Sequence, residues 1–433
     1  MTLKVGVAAR RGRLVERQLL GTPVATAGEV AESLVALHAT DPVTVYLSAR
    51  ARSRCAVEDV DAALYDERAV VRMLGMRRTV FVVPAGLADV VQAACTDDVA
   101  RRMRRQLEKD LAGGGVGDGD TGGWLRSVED GVLRALAARG GGATGAQLSA
   151  DEPRLRTQLV YAPDKSYGGT AYITSRVLVL IAAEGRTIRG HRRGGWTSGQ
   201  FEWFLPGAWL RGGERAGHVT GGDADAPRDA RGADQNAILG AGAGAGSGSD
   251  LGAGLGSGLD AGVARRELAR RWLTAFGPGL AADLQWWAGW TGAQTKAALA
   301  ALPVTEVDLD GQPGVALADD LDFPADAPEV TALLPALDPA PMGWQSRGWY
   351  LDPHTPRLFD RTGNVGPTVW WAGRVVGGWA QRASGEVVYR LLEDIGADGS
   401  AAVAAQAAAL EAWLGPARVT PRFRTPLERE LSA

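Results

Sequence analysis

The stretch GAGAGAGSGSDLGAGLGSGLDAG, residues 240–262, constrains the fold of this chain more than any other. It ends a longer run, 211–262, that is almost free of large apolar side chains. Such a segment cannot bury enough surface to offset the entropy lost on ordering, so it predicts a flexible linker. Folded structure must therefore lie on either side of it. A second glycine-rich break, AGGGVGDGDTGG at 112–123, divides the first part again. With 433 residues and 45% apolar content, the pieces on either side of these breaks are long enough to bury cores of their own.

The same order of patterns recurs in each piece. In residues 1–111, RGRLVERQLLG reads as a first helix, and Thr26 with Glu29 forms a capping box ahead of a second. That second helix carries Val30, Leu34 and Leu37 on one face, which predicts that it runs to the edge of His38. Asp41-Pro42 then opens a third, VTVYLSARAR, with Asp as N-cap and Pro at the first position. The alternating run AVVRMLGMRRTVFVVP predicts a β-hairpin. Residues 124–210 repeat the order and close on RTIRGHRRGGWT, a glycine-punctuated strand pair. Residues 263–330 give it a third time. Three helices and a hairpin, three times over, is the pattern of tandem winged-helix units. From 331 to 415 the texture turns to strands, with an Ala-rich helix at the end, and 416–433 reads as a loose tail. The expected fold class is α+β: three winged-helix units followed by a β-barrel-like domain.

The charge pattern points to a partner. Net charge is −3, which excludes a uniformly basic nucleic-acid binder, yet only four of 47 basic residues are lysines. The arginines cluster in ARRGR at 9–13, RARSR at 50–54, RRMRR at 101–105 and HRR at 191–193. Arg forks grip phosphate bidentately, so local patches on a near-neutral chain fit a DNA-facing surface. GC-rich coding accounts for much of the Arg, Ala and Gly content, but not for the clustering. Two cysteines, Cys55 and Cys95, build neither a disulfide framework nor a zinc site, and the four histidines lack metal-ligand spacing. The N-terminus has no apolar signal core, and no run of about 18 apolar residues follows. The expectation is a cytoplasmic protein with no cofactor, no metal and no membrane contact, monomeric and without a protein partner.

The landmarks LVALHATDP, MLGMRRTVFVVP, LIAAEGRTIRG, LTAFGPGLAADLQWWAGW, LLPALDPAPMGW and PTVWWAGRVVGGW occur in that order. Together they resemble the AlkZ/YcaQ family of bacterial DNA glycosylases. The resemblance implies three tandem winged helices and a β-barrel around a DNA-sized concave face. It also implies excision of N7-alkylguanines, some of them bulky. The family's catalytic motif is Gln-hydrophobic-Gln or Gln-hydrophobic-Asp after the second helix. The matching positions here are His38-Ala39-Thr40, so both polar members differ. Such specialised branches guard producers of DNA-alkylating natural products, which makes self-resistance the role implied.

An N7-alkylated guanine is already cationic, so hydrolysis needs a positioned water and a stabilised oxocarbenium-like sugar more than a proton donor. Neutral His38 can accept a proton from that water or orient it. Thr40 can hold the water or contact the sugar-phosphate, and Asp41 can stabilise charge developing on the sugar. The alternative for each is structural: a half-buried histidine, a helix-end threonine and an N-cap. The DNA contacts expected are Arg50, Arg52, Arg77, Arg78, Arg192, Arg193 and Arg347, on double-stranded DNA carrying an alkylated guanine. Asp338 and Arg347 form either an ion pair or a DNA contact. The tryptophans of QWWAGW either stack on bases or pack a core. No lysine lies in the motif, which favours a water-using, monofunctional enzyme over one with an amine nucleophile. The competing reading is a non-catalytic DNA-binding protein, a regulator or lesion binder that has lost the glutamines.

Overall fold

The computed structural model describes residues 2–161, 168–211, 255 and 258–433. The chain begins with a short strand, β1 (Leu3–Lys4), and helices α1 (Val7–Arg17) and α2 (Ala27–Ser33). The capping box at the start of α2 forms as the sequence requires: Thr26 Oγ1 accepts from the Glu29 amide, and the Glu29 carboxylate accepts from the Thr26 amide. The end of α2 departs from the apolar periodicity. The helix stops at Ser33, and Val35 takes a left-handed backbone with φ of 66°. Leu37–His38 is then a strand, β2, not the last turn of a helix. The physical reason lies across the chain. β3 (Val70–Leu74) and β4 (Val80–Pro84) form the expected hairpin, and β2 adds to it in the order β2-β4-β3. Extended backbone there gains ladder bonds, including Ala39 N–H to the Val80 carbonyl at 2.8 Å. Val30, Leu34 and Leu37 still reach one core, so the apolar spacing was right about burial and wrong about conformation. Helix α3 (Pro42–Arg50) follows with Asp41 as N-cap.

Helix Asp97–Gly113 leads into the second round of helices, Thr121–Arg139, Gly145–Asp151 and Thr174–Ala183. A hairpin absent from the sequence reading, β5 (Gln158–Tyr161) and β6 (Gly169–Tyr172), stands between the last two. The strand pair β7 (Ile188–Arg193) and β8 (Gln200–Phe204) closes this round. Most of the segment read as a linker lies outside the described residues. Its margins are ordered: a helix runs Pro206–Arg211, and the Leu255 N–H donates to the Gly185 carbonyl at 3.3 Å. A further helix begins at Ala261 because Asp260 accepts from the Gly262 and Val263 amides at 2.8 and 3.0 Å.

The third round contains helices Ala261–Phe276, Ala281–Ala288 and Gly292–Ala300, then β9 (Val304–Leu309) and β10 (Gln312–Leu317). The N-terminal β1 lies parallel against β9, so the two ends of this arrangement share one sheet. The first and third rounds also share one core, in which Met73, Met76 and Phe81 pack with Trp272, Phe276 and Trp287.

The C-terminal strands β11 (Thr331–Leu334), β12 (Thr368–Trp371), β13 (Arg374–Gln381) and β14 (Val387–Leu391) make an open antiparallel sheet in that order. No closed barrel exists among the described residues. Helices cover the sheet instead: neighbours Val375 and Val376 on β13 point to opposite faces, and each face has its own helix. Val376 packs with Val403, Ala407 and Leu410 of helix Gly396–Leu414. Val375 packs on the side of Leu427 and Leu431 in helix Pro426–Ser432. The last residues, read as a loose tail, are thus a docked segment. No helix of the described residues is long and apolar enough to cross a membrane.

Candidate functional site

The candidate site is the corner where β2 ends and α3 begins. His38 sits directly opposite Phe81 on β4, and the rings meet edge to face with centroids 5.0 Å apart. The imidazole is 5% exposed, and its Nδ1 accepts from the Thr40 amide at 3.4 Å. In this neutral tautomer the proton is on Nε2, which has no hydrogen-bond partner among the described residues. Burial, reinforced by the charge of Arg77, pulls the His38 pKa down to about 3. His38 is therefore a neutral N–H donor through the whole physiological range, not a base that titrates within it. Thr40 Oγ1 is buried and has no hydrogen-bond partner among the described residues. A buried orphan hydroxyl is costly, which makes it a place for a water or a substrate oxygen. Asp41 is the N-cap: Oδ1 accepts from the Val43 amide at 3.3 Å, while Oδ2 accepts from the Arg422 amide at 3.0 Å.

Two buried ties hold α3 in place along its length. Thr44 Oγ1 donates to the Ala336 carbonyl at 2.8 Å. One turn on, Ser48 Oγ donates to Asp338 Oδ2 at 2.6 Å, and Arg52 grips Asp338 with both Nη atoms, at 2.8 and 2.6 Å. Neither Arg52 nor Asp338 has any exposed side-chain surface. Arg52 therefore cannot meet a phosphate, and its place in the expected DNA surface is corrected to a strut. Its charge is consumed by a carboxylate 286 residues away, which no local pattern signals.

The arginines nearest His38 come from other elements. Arg77 and Arg78 occupy the β3–β4 turn, both with left-handed backbone at φ of 51° and 60°. Each such residue costs about 1–2 kcal/mol, a strain that persists only where the surroundings enforce it. Helix Ala281–Ala288 supplies that enforcement. It ends at Gly289, itself left-handed, where a Cβ would lie 3.1 Å from the Arg77 nitrogen, so glycine is what allows the turn to dock. Arg77 stacks on the Trp286 ring 3.9 Å from its centroid, and Arg347 lies 4.9 Å from the same centroid. Neither has a carboxylate within ion-pair distance among the described residues. Burial first, and then Arg347, pull the Arg77 pKa to about 10, so Arg77 stays charged at neutral pH; burial lowers the Arg347 pKa as well. Two guanidinium groups without carboxylate partners beside one half-buried indole have the chemistry to bind a phosphate. The neighbours Trp287 and Trp290 are buried core, so the two readings of QWWAGW divide by residue.

Arg78 continues into a groove. Val99, Arg102, Met103 and Gln106 on helix Asp97–Gly113 face Ser175 and Arg176 across a cleft of about 440 Å³. The remaining expected contacts lie elsewhere. Arg192 pairs with Asp61 and reaches Tyr46 Oη at 3.3 Å, and Arg193 pairs with Glu202 at 3.2 Å. Arg50 is on the last turn of α3, lining a separate cleft with Arg54, Gln406 and Leu410. Sequence reasoning missed Trp286 as an arginine platform and Arg422 altogether. Nothing in their local patterns marks them.

A family profile described as DNA glycosylase AlkZ-like matches residues 31–413. No curated protein matches the chain by sequence at a significant level. Among solved structures, the fold is similar to that of the Streptomyces sahachiroi DNA glycosylase AlkZ, with a TM-score of 0.66 and 18% identity. That likeness covers 97% of this chain and 100% of the other.

Proposed function

The chain belongs to the AlkZ-like DNA glycosylase family, and on that premise we propose that it hydrolyses the N-glycosidic bond of a bulky N7-alkylguanine in double-stranded DNA. The observation that carries this reading is the state of His38: buried, neutral, and presenting an unpaired Nε2–H at the end of β2. An N7-alkylpurine leaves as a neutral base without being protonated, so the chemistry asks the enzyme for neutral donors and a held water. His38 supplies a neutral donor where the family carries glutamine. The orphaned Thr40 hydroxyl holds the water, and the Asp41 carboxylate, with lone pairs left after its two amide bonds, accepts from it and offsets the charge developing on the sugar. Among the described residues, Lys4, Lys109 and Lys296 lie on β1 and on helices other than those of this corner, in keeping with a monofunctional enzyme; Lys165 lies outside the described residues.

Arg77 and Arg347 are poorly suited to contact a cationic base and well suited to hold the phosphates that flank it. The cleft beyond Arg78 extends that track along helix Asp97–Gly113. Protection of a producer from its own DNA-alkylating product is the role that suits a branch with an altered motif. The test is mass spectrometry of bases released from duplexes treated with a panel of alkylating natural products. Release of an N7-alkylguanine by the wild type, reduced by His38→Ala, is the expected result. Tight binding to every adduct with no release would replace this reading with that of a lesion-binding protein.

A further inference from the structure

The family profile ends at residue 413, yet the chain beyond it returns to the motif corner. The return path is fixed at several points. The Val419 amide donates to Gln381 Oε1 at 2.8 Å, Arg382 Nε donates to the Leu431 carbonyl at 3.3 Å, and Leu427 and Leu431 are buried against the sheet. Arg422 is therefore delivered to the corner by a docked segment. Its amide binds Asp41 Oδ2 at 3.0 Å, and its Nη1 reaches the Thr40 carbonyl at 3.4 Å. These are two of the three polar residues of the proposed reaction centre.

The charges around Arg422 are spent differently from its own. Arg424 pairs with Glu428 at 2.6 Å, and Arg357 and Arg390 share Glu430 at 2.6 and 2.7 Å. Arg418 uses its donors on the carbonyls of Ala383, Ser384, Gly415 and Ala417. Arg422 is exposed; its guanidinium lies 5.8 Å from the Phe423 ring centroid, makes one long bond to a carbonyl and has no carboxylate within ion-pair distance among the described residues. A guanidinium with most of its fork free, anchored beside the site of bond cleavage, is matched to a phosphodiester oxygen.

We propose that Arg422 is a DNA-contacting residue of the reaction site. It takes a backbone phosphate next to the damaged nucleotide, while its own amide fixes the Asp41 carboxylate. The inference rests on the glycosylase reading for the meaning of the corner, but its readout is binding, which requires no excision. Duplex affinity measured against salt concentration should show Arg422→Ala weaker than wild type, with the log–log slope reduced by about 0.9, the loss of one neutralised phosphate. Arg422→Lys should recover most of that slope, since the charge returns. Thermal melting of both variants should match wild type, because the side chain is exposed and its amide remains. An Arg422→Ala slope and affinity equal to wild type would overturn the proposal. If the wild type released no base but Arg422→Ala still lost slope, the phosphate contact would stand and the glycosylase chemistry would fall. A wild type that bound no duplex at all would overturn both.

Discussion

His38 keeps its proton count constant across the pH range in which most histidines change theirs, because it is buried and lies near the charge of Arg77. The consequence for activity is a negative one: no acid limb between pH 5 and 8 arises from this imidazole. His38→Gln should then keep most of the single-turnover rate, while His38→Ala should lose about 100-fold, the scale for removal of one preorganised donor. The consequence for stability has a definite sign. The unfolded chain protonates this group near pH 6.5 and the folded chain only near pH 3, so as pH falls between them the unfolded state binds more protons. Stability is fully present above the unfolded value and is lost on acidification. Between pH 7 and 5 the wild type should lose about 2 kcal/mol more than His38→Gln by urea denaturation, from 1.36 kcal/mol per pK unit. An equal loss in the two proteins would show that His38 is solvated.

At the scale of elements, the corner is held by a cap with two customers. Both donors to Asp41 are backbone amides, one starting α3 and one from the C-terminal segment. Asparagine is as good an N-cap as aspartate, but its amide nitrogen cannot accept from the second donor. Asp41→Asn should therefore cost about 1 kcal/mol, the worth of one hydrogen bond, where capping alone would predict no loss. Differential thermal melting against Asp41→Asn in an Arg422→Pro background, which lacks that amide, isolates the term: the cost should shrink there. The β3–β4 turn is the complementary case. Its two left-handed arginines are locally unfavourable and are held in place by Gly289 and Trp286 from another element.

For the molecule as a whole, arginine is used in two ways that the presence of a carboxylate partner separates. Arg52 is a strut between the end of α3 and the connection from β11 to β12. Removing one member of a fully buried pair leaves the other charge uncompensated, so Arg52→Met should cost about 3–5 kcal/mol in chemical denaturation. DNA affinity per folded molecule should be unchanged. Arg77 and Arg347 are half-buried but have no carboxylate within ion-pair distance among the described residues. Each substituted by Ala should lower the salt slope of duplex binding by about 0.9 with little change in melting. Arg192→Ala and Arg193→Ala should change the slope far less, because Asp61 and Glu202 already neutralise them. Equal slopes for the two sets would mean that the DNA runs over β7 and β8 instead.

The sequence alone determined what depends on neighbours in the chain. The Thr26–Glu29 box, the Asp41-Pro42 start of α3 and the β3–β4 hairpin all rest on caps, turns and periodicities within a few residues. The position of the motif corner was legible for the same reason. Tertiary structure decided the rest. Leu37–His38 became a strand because β4, about 40 residues on, offered ladder bonds that a last helical turn could not match in that place. Arg52 and Arg77 are chemically identical in the sequence, and partners at Asp338 and Trp286 made one an ion-paired strut and the other a half-buried cation without a carboxylate. The low pKa of His38, the orphaned Thr40 hydroxyl and the return of Arg422 to the corner are likewise properties of burial and long-range contact. Desolvation and ion pairing depend on what surrounds a side chain in space, and a linear pattern does not carry that information.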